Sequence, residues 1–564
     1  MMIANLPPFV PFFLAAALVP FLRGWIRQAI MVLVPIVGGL NLLNVDSGVL
    51  LEVSLLDFDL ALFRVDKLSL LFGYLFHIAA LIGIIYSLHV RDTSQHVTGL
   101  VYAGSALGAV FAGDLITLFI FWEILAVSSV FLVWANRSER AIAAGFRYMI
   151  IQVLAGVLLL SGILVQYYTT GSLVFTYLGL NSLASALIFL AFGIKGAFPL
   201  LHNWLIDAYP EATPTGTVFL SAFTTKVAVY ALARAFPGTE LLIYIGAAMT
   251  VFPIFYAVIE NNLRRVLAYS MINQIGFMVT GIGLGTPLAI NGAVAHAFND
   301  VIFKGLLFMS MGAVLHMTGR IKASDLGGLY KTMPITTGLC IVGAASISAV
   351  PLFSGFVSKT MVLVAALDEG HIWVWLALLF ASAGVLEHAG IKIPFFAFFA
   401  HDSGIRVKEP PRNMLIAMGV AAALSIFIGS YPWLLYGLLP YVVDYSPFDT
   451  SHVITQLQLL AFAVFGVFWM MRMGLYPPEL RAVNLDSDWL YRKAAPWILS
   501  KLWTFGQPVD RAVRRSIVRR IKSFIAMLRQ HHGPQGVLAR SWPTGSMVLW
   551  VAILLGVYLV LYYL

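Results

Sequence analysis

Five lysines lie inside long apolar runs of this 564-residue chain: Lys195, Lys226, Lys304, Lys359 and Lys392. The stretch from Phe189 to Leu232 holds the first two and interrupts its first run with Gly193, Gly196 and Pro199. A charge near the middle of a bilayer costs at least about 2.5 kcal/mol, so lysines there need a reason. A proline in the same run frees a carbonyl that only a neighbouring helix, a side chain or water can satisfy. The two features together describe a hydrated, ionisable interior. Lysine suits proton exchange, because burial changes its protonation readily whereas arginine stays charged.

Other ionisable groups accompany the lysines. Lys304 follows Asp300 by four residues and His296 by eight in VAHAFNDVIFKGLLFMSMG, which puts all three on one helical face. Such a stack reads as a proton-relay surface; for His296 alone, a satisfied structural histidine is the plainer reading. Glu123 sits mid-run in LITLFIFWEILAVSSVFLVW with no base in its own segment, and Lys195 is its candidate partner. A static salt bridge pinning two helices remains the alternative to a proton-exchanging pair. Lys359 follows Pro351 and Gly355 in a second broken run, and His202 is placed to line the first break after Pro199. Glu387, His388 and Lys392 share a further run; a local pair that lowers insertion cost and an exit site fit them equally. His77 and His316 lie nearer run ends, where an interfacial place is expected.

The elements that carry these groups must be membrane helices. Sixty per cent of residues are apolar and eleven per cent charged, outside the range of soluble domains, where about 25% charged is usual. Runs of about 20 apolar residues cross a hydrocarbon core as helices, whereas a β-barrel would alternate over about ten. Spans are expected at about 3–22, 29–44, 68–90, 98–113, 115–135, 146–168, 182–207, 213–236, 241–260, 266–285, 288–317, 333–366, 372–400, 412–436, 454–471 and 547–564, about 16 in all. The first run has no basic leader and four prolines, and reads as a retained span. The fold class is therefore all-α integral membrane, with broken helices at about 182–207 and 333–366. Two interrupted helices point to inverted repeats with ion sites at the breaks.

Short loops carrying Arg23 and Arg27, Arg137, Arg140 and Arg147, Arg264 and Arg265, Arg320, Lys322 and Lys331, and Arg406, Lys408 and Arg412 alternate with loops carrying Asp46, Glu52, Asp57 and Asp59, Asp368 and Glu369, and Asp444 and Asp449. The basic side is expected in the cytoplasm, with both termini outside. Residues 472–546 are basic, with Trp489, Trp497 and Trp503 interleaved. Within them Val509, Val513, Ile517, Ile521, Phe524, Ile525 and Leu528 recur at helical spacing against Arg511, Arg514, Arg515, Arg519, Lys522 and Arg529. That reads as an amphipathic helix on lipid headgroups, with a docking helix for a partner subunit as the rival. The formal charge of +9 is explained by membrane topology, not by nucleic acid. The lone cysteine, Cys340, excludes an internal disulfide and a thiolate metal or cluster site, and no cofactor or metal is expected. There is no GxGxxG fingerprint or P-loop.

FWE at 121–123, GIKGAFPLLHNWLIDAYPEA at 193–212, TKVAVYAL at 225–232, RRVLAYSMINQIGFM at 264–278, FKGLLFMSMGAV at 303–314 and PLFSGFVSK at 351–359 resemble a known family. It is the proton-translocating antiporter-like family shared by the large membrane subunits of respiratory complex I and Mrp-type cation/proton antiporters. TKVAVYAL and GIKIPFFAFF look most like the D-type member of the Mrp set. The resemblance covers about residues 60–435. It implies a 14-helix core with two inverted five-helix repeats, and a division into 1–95, a first repeat 96–236, a second repeat 240–400, core helices 401–471, the surface segment 472–546 and a final span 547–564. It also implies roles along a proton path for Glu123, Lys195, Lys226, His296, Lys304 and Lys359. Many relatives carry histidine where this chain has Asp300, and an ionised aspartate there would hold Lys304 charged.

The function expected is proton translocation within a multisubunit monovalent cation antiporter, Na⁺ foremost, in a bacterial inner membrane with other subunits as partners. A proton-pumping subunit of a redox complex, a coupling subunit for another catalytic partner and a non-conducting scaffold are the alternatives. The chain is a transporter subunit, or a translocase if its partners do redox chemistry.

Overall fold

A computed structural model describes residues 6–55, 58–480, 484–533, 536, 539 and 543–564. Asp57, the first residues of the first expected span and parts of the basic segment lie outside them. The chain divides into two compact units, Met1–Asn484 and Leu485–Leu564.

The first unit is helical. It runs through α1 (Val10–Phe21) and α2 (Gly24–Asn41), then α3 (Lys67–Ser87), α4 (Thr93–Phe111), α5 (Leu115–Trp134) and α6 (Glu139–Thr170). The broken pair α7 (Leu183–Lys195) and α8 (Asn203–Ala208) follows, then α9 (Pro214–Ala222), α10 (Thr224–Ala235), α11 (Glu240–Ile259), α12 (Leu263–Leu284) and α13 (Pro287–Thr318). The second broken pair is α14 (Pro334–Ile347) and α15 (Ser354–Asp368), and the unit ends with α16 (Ile372–Phe399), α17 (Arg412–Ser430) and α18 (Thr450–Arg472). The second unit holds α19 (Ala495–His532) and α20 (Thr544–Tyr563). Among the described residues, 12 helices are long and apolar enough to cross a membrane. The chain is an all-α membrane protein of many spans, and α13 is its hub, packing against α9, α12, α14, α15 and α17.

Helix starts follow from caps. Asp66 accepts from the Ser69 amide at 2.8 Å ahead of α3, Asp114 from the Thr117 amide at 2.7 Å ahead of α5, and Thr213 from the Gly216 amide at 3.0 Å ahead of α9. Pro214 takes the first turn of α9, where a missing N–H costs nothing. The Asp66 carboxylate also meets Arg234 of α10 at 2.7 Å, tying a helix start to a distant helix.

The two broken helices share one backbone conformation. Ala197 and Leu200 have φ of 59° and 69°, and Ala349 and Leu352 have φ of 58° and 73°. The hydrogen bonds match as well. At the first break, Ala197 donates to Ile194, Phe198 to Gly193 and Leu201 to Phe198; at the second, Ala349 donates to Ser346, Val350 to Ala345 and Phe353 to Val350. Both breaks read Ala-x-Pro-Leu, so the proline that stops the helix is flanked by two residues in the left-handed region. L-residues adopt that region at a cost of roughly 1 kcal/mol or more each, so the surrounding packing must hold it in place.

Two features add to the sequence expectation. The segment 213–236 is one span, Pro214–Ala235, as expected, but its helix is interrupted at Phe223, whose φ of −108° and ψ of −63° separate α9 from α10. The acidic loop before α3 is an antiparallel hairpin, β1 (Gly48–Leu55) and β2 (Phe58–Val65), with a register shift between Val49 and Glu52. The alternation in FDLALFRV, with Leu60, Phe63 and Val65 buried, was the missed signal.

A β-branched side chain tolerates positive φ least. Ala197→Val and Ala349→Val are each expected to cost about 1–2 kcal/mol, while Leu352→Gly relieves the same strain. Thermal midpoints of the purified protein should fall for both valine variants and hold or rise for the glycine variant.

Candidate functional site

All five lysines are buried, and four of them end on a main-chain carbonyl. Lys195 Nζ donates to the Trp122 carbonyl at 2.7 Å, Lys226 to Ser221 at 3.3 Å, Lys359 to Ile347 at 3.0 Å and Lys392 to Val258 at 2.6 Å. Three of these carbonyls lie at helix ends or interruptions. Ser221 precedes the break at Phe223, Ile347 ends α14 at the second break, and Val258 is in the last turn of α11. Carbonyls there lack helical partners and carry the negative end of the helix dipole, which suits an ammonium group. Lys304 differs: its Nζ donates to the Ser270 hydroxyl of α12 at 2.7 Å.

Lys195 also lies over the Trp122 ring, 4.2 Å from its centroid. The neighbouring Glu123 is within electrostatic reach of Lys195, yet no direct ion pair joins them among the described residues. Glu123 Oε1 accepts no hydrogen bond and rests against the backbone of Gly156 on α6, where any Cβ would collide with it. The two groups are coupled through space and not pinned together.

Asp300 corrects a sequence expectation. Lys304 lies one turn away on the same face, but the Asp300 carboxylate crosses to α10 and meets Lys226 Nζ at 2.6 Å, with both side chains fully buried. The interruption at Phe223 is what lets α10 present Lys226 to α13. His296 bridges α12 and α15: Nε2 faces the Gln274 carbonyl oxygen and Nδ1 the Ser358 hydroxyl, each at 3.0 Å. Gln274 gives its amide to Asn273 at 2.6 Å, which leaves its oxygen toward the imidazole. His296 therefore carries a proton on Nε2. Lys359 lies over the Phe277 ring at 5.0 Å.

Lys392 does not pair with Glu387. It meets Glu479 at 3.0 Å, while Glu387 accepts from the Tyr476 hydroxyl at 2.6 Å. Tyr476 and Glu479 belong to the segment after α18 that composition groups with the basic surface residues. The signal was local, because TyrProProGlu at 476–479 is a turn without basic residues. His202 is at the first break, buried, its ring 4.8 Å from that of Phe252. His77 is not interfacial: it lies inside α3, buried, with Nδ1 on the Gly73 carbonyl at 2.7 Å. His316 faces His89 edge-on at 5.1 Å.

One positioning residue escaped the sequence reading. Arg264, counted among loop charges, is buried and donates to the carbonyls of Pro210 at 2.8 Å and Ala212 at 3.0 Å, and to the Thr217 hydroxyl. It fixes the turn between α8 and α9 and so the approach of Lys226. No group of three or more His, Cys, Asp or Glu side chains is arranged to hold a metal among the described residues.

The ionisable groups of the bundle interior form a pair, Glu123 with Lys195, and a cluster in which Lys226, Asp300, Lys304, His296 and Lys359 lie within electrostatic reach of one another. Comparison with known proteins shows the family. Residues 112–384 match the family described as NADH:quinone oxidoreductase/Mrp antiporter, TM. The D subunit of the Na(+)/H(+) antiporter of Alkalihalophilus pseudofirmus is 30% identical over 345 residues, covering 57% of this chain and 69% of that protein. In fold, the chain is similar to a subunit of the Mrp complex from Dietzia sp. (TM-score 0.67, 21% identity, 84% of this chain and 99% of that one). It is similar over 99% of its length to a subunit of the membrane-bound sulfane sulfur reductase, an archaeal respiratory membrane complex (TM-score 0.71, 22% identity, all of that chain). The protein is a member of the NADH:quinone oxidoreductase/Mrp antiporter membrane family.

Proposed function

We propose that this chain is the proton-translocating subunit of a multisubunit monovalent cation/proton antiporter, with Na⁺ as the cation, and that it works by charge coupling along its buried ionisable chain. The observation that carries the reading is the fully buried Lys226–Asp300 pair, within electrostatic reach of Lys304 and Lys359. A proton delivered to Lys226 or Asp300 changes the charge that every neighbour feels. In a low-dielectric interior such a change is worth several kcal/mol even at an effective dielectric of about 20. It drives exchange at Lys195 and Glu123 in one direction and at Lys304, His296 and Lys359 in the other. Carbonyls at the breaks receive Lys226 and Lys359 in their charged state, and rotation of a lysine off its carbonyl accompanies loss of the proton.

The matching Ala-x-Pro-Leu breaks support a division into two repeats, 96–236 and 240–400. The positive-inside balance supports a bacterial inner-membrane orientation with both termini outward. The basic face of α19 suits anionic lipid headgroups, and other subunits of the complex carry the cation path or share it.

Proton flux into vesicles holding the assembled complex, started by adding Na⁺, K⁺ or Li⁺, tests the reading. Glu123→Gln and Lys195→Ala are each expected to lower it by about a hundredfold; unchanged flux in both, with the complex intact, would overturn the relay. Absence of any cation-driven flux, with flavin or iron–sulfur proteins co-purifying, would make the chain a redox-complex subunit. Asp300→Asn leaves Lys226 without its counter-charge and should cost about 3–5 kcal/mol of stability. The double variant Lys226→Met with Asp300→Leu should recover that stability but not the flux, which separates a structural pair from a conducting one.

A further inference from the structure

The segment leaving α18 turns back into the bundle. Met473–Leu480 presents Tyr476 and Glu479 to α16, where Tyr476 Oη donates to Glu387 Oε1 at 2.6 Å and Glu479 Oε1 meets Lys392 Nζ at 3.0 Å. Lys392 is fully buried, and Glu387 and Glu479 are nearly so. A purely structural pair would satisfy its polar atoms, yet Glu387 Oε2 has no hydrogen-bond donor, and the buried His388 ring has no partner beyond the Gly384 carbonyl of its own helix. All three α16 groups lie in or beside a π-helical stretch, 386–391, a distortion that recurs at functional sites.

The location joins this cluster to the central chain. His388 is within electrostatic reach of Lys304, Lys359 and Lys392. On its other side the cluster borders the end of α11, through the Val258 carbonyl and through Glu260, which faces Glu479 and is held by Arg265 at 3.5 Å. With two carboxylates about one ammonium, the buried group is neutral only when one carboxyl keeps a proton. Burial pushes the Glu479 carboxyl up more than Lys392 pulls it back, and Glu260 adds to the rise.

We propose that Glu387, Tyr476, Lys392 and Glu479 form a proton-exchange site at the end of the buried chain, reached from Lys304 and Lys359 through His388, and that the segment after α18 supplies its outer carboxylate. The proton passes from His388 to Glu387, across Lys392 to Glu479, and out past Glu260. The Tyr476 hydroxyl stabilises Glu387 while that carboxylate is ionised. The bland alternative is that Glu479 and Tyr476 only anchor the returning segment. This inference rests on the proton-translocating reading above.

The test uses the assembled complex in vesicles, with flux measured across a pH range. Glu387→Gln and Glu479→Gln keep size and hydrogen bonding but cannot exchange a proton; each is expected to slow flux by about tenfold or more and to flatten its pH profile. Glu479→Asp should restore most of it. Unchanged flux in both glutamine variants, beside loss in Glu123→Gln, would overturn the exchange site and leave the translocation reading standing; no loss in any of the three would overturn both. A second measurement needs no variant. A hydrophobic carbodiimide reacts with protonated carboxyls in apolar surroundings, and peptide mapping of the treated native complex should find the label on Glu387 or Glu479, lost as the pH is raised. No label on either residue at any pH would overturn the proposal.

Discussion

A buried ammonium group resting on a main-chain carbonyl is the contact this fold makes repeatedly and is built around. A lysine in a membrane interior needs an oxygen, and in an unbroken helix each carbonyl already accepts from the amide four residues on, so that only a second lone pair remains, as Trp122 gives Lys195. Interrupting a helix releases carbonyls, and the interior places Lys226 and Lys359 on those released at Ser221 and Ile347. The breaks and the lysines are thus two halves of one device. A carbonyl holds a cation without being able to take its proton. The charge therefore stays free to change when a neighbouring group changes, which a tight carboxylate partner would resist.

Asp300 is the exception to that pattern and the reason it is central. Its pairing with Lys226 joins α10 to α13 at full burial. Lys304 is left to a neutral hydroxyl, Ser270, and to the field of its neighbours. The direct partner of the Asp300 carboxylate is Lys226, and it reaches Lys304 only through its field. Asymmetry follows: one lysine in the middle of the chain has a direct counter-charge and those flanking it do not. A relay needs such a difference, since identical sites would give a proton no preferred next step.

The rest of the fold serves to hold these groups against strain. Four non-glycine residues in the left-handed region mark the two breaks, and Arg264 bonds the carbonyls of the turn that carries the chain from α8 to α9. Gly156 leaves room for the Glu123 carboxylate, which a Cβ there would push aside. Open hydrogen-bonding positions on Glu123 and Glu387 persist inside a well-packed bundle. Buried polar atoms are costly to leave unpaired, and those two lie among the buried ionisable residues.

Hydropathy and spacing were enough to establish that the chain is helical and membrane-bound, where most of its spans lie, and that Glu123, Lys195, Lys226, Lys304 and Lys359 stand out. Hydropathy is a local property, and an isolated charge in an apolar run is conspicuous because lipid penalises it wherever the helix packs. Proline and glycine likewise announced both broken helices. The partner of each charge emerged only from packing. Helical spacing set Asp300 beside Lys304 and Glu387 beside Lys392, but the angle at which α10 and the segment after α18 arrive gave Asp300 to Lys226, Lys392 to Glu479 and Glu387 to Tyr476. Such pairings depend on how helices far apart in the chain rotate against one another, and no spacing along one helix records that. The shared conformation of the two breaks was present as a repeated Ala-x-Pro-Leu, yet four residues acquire meaning only when the same positive φ angles and hydrogen bonds recur in space.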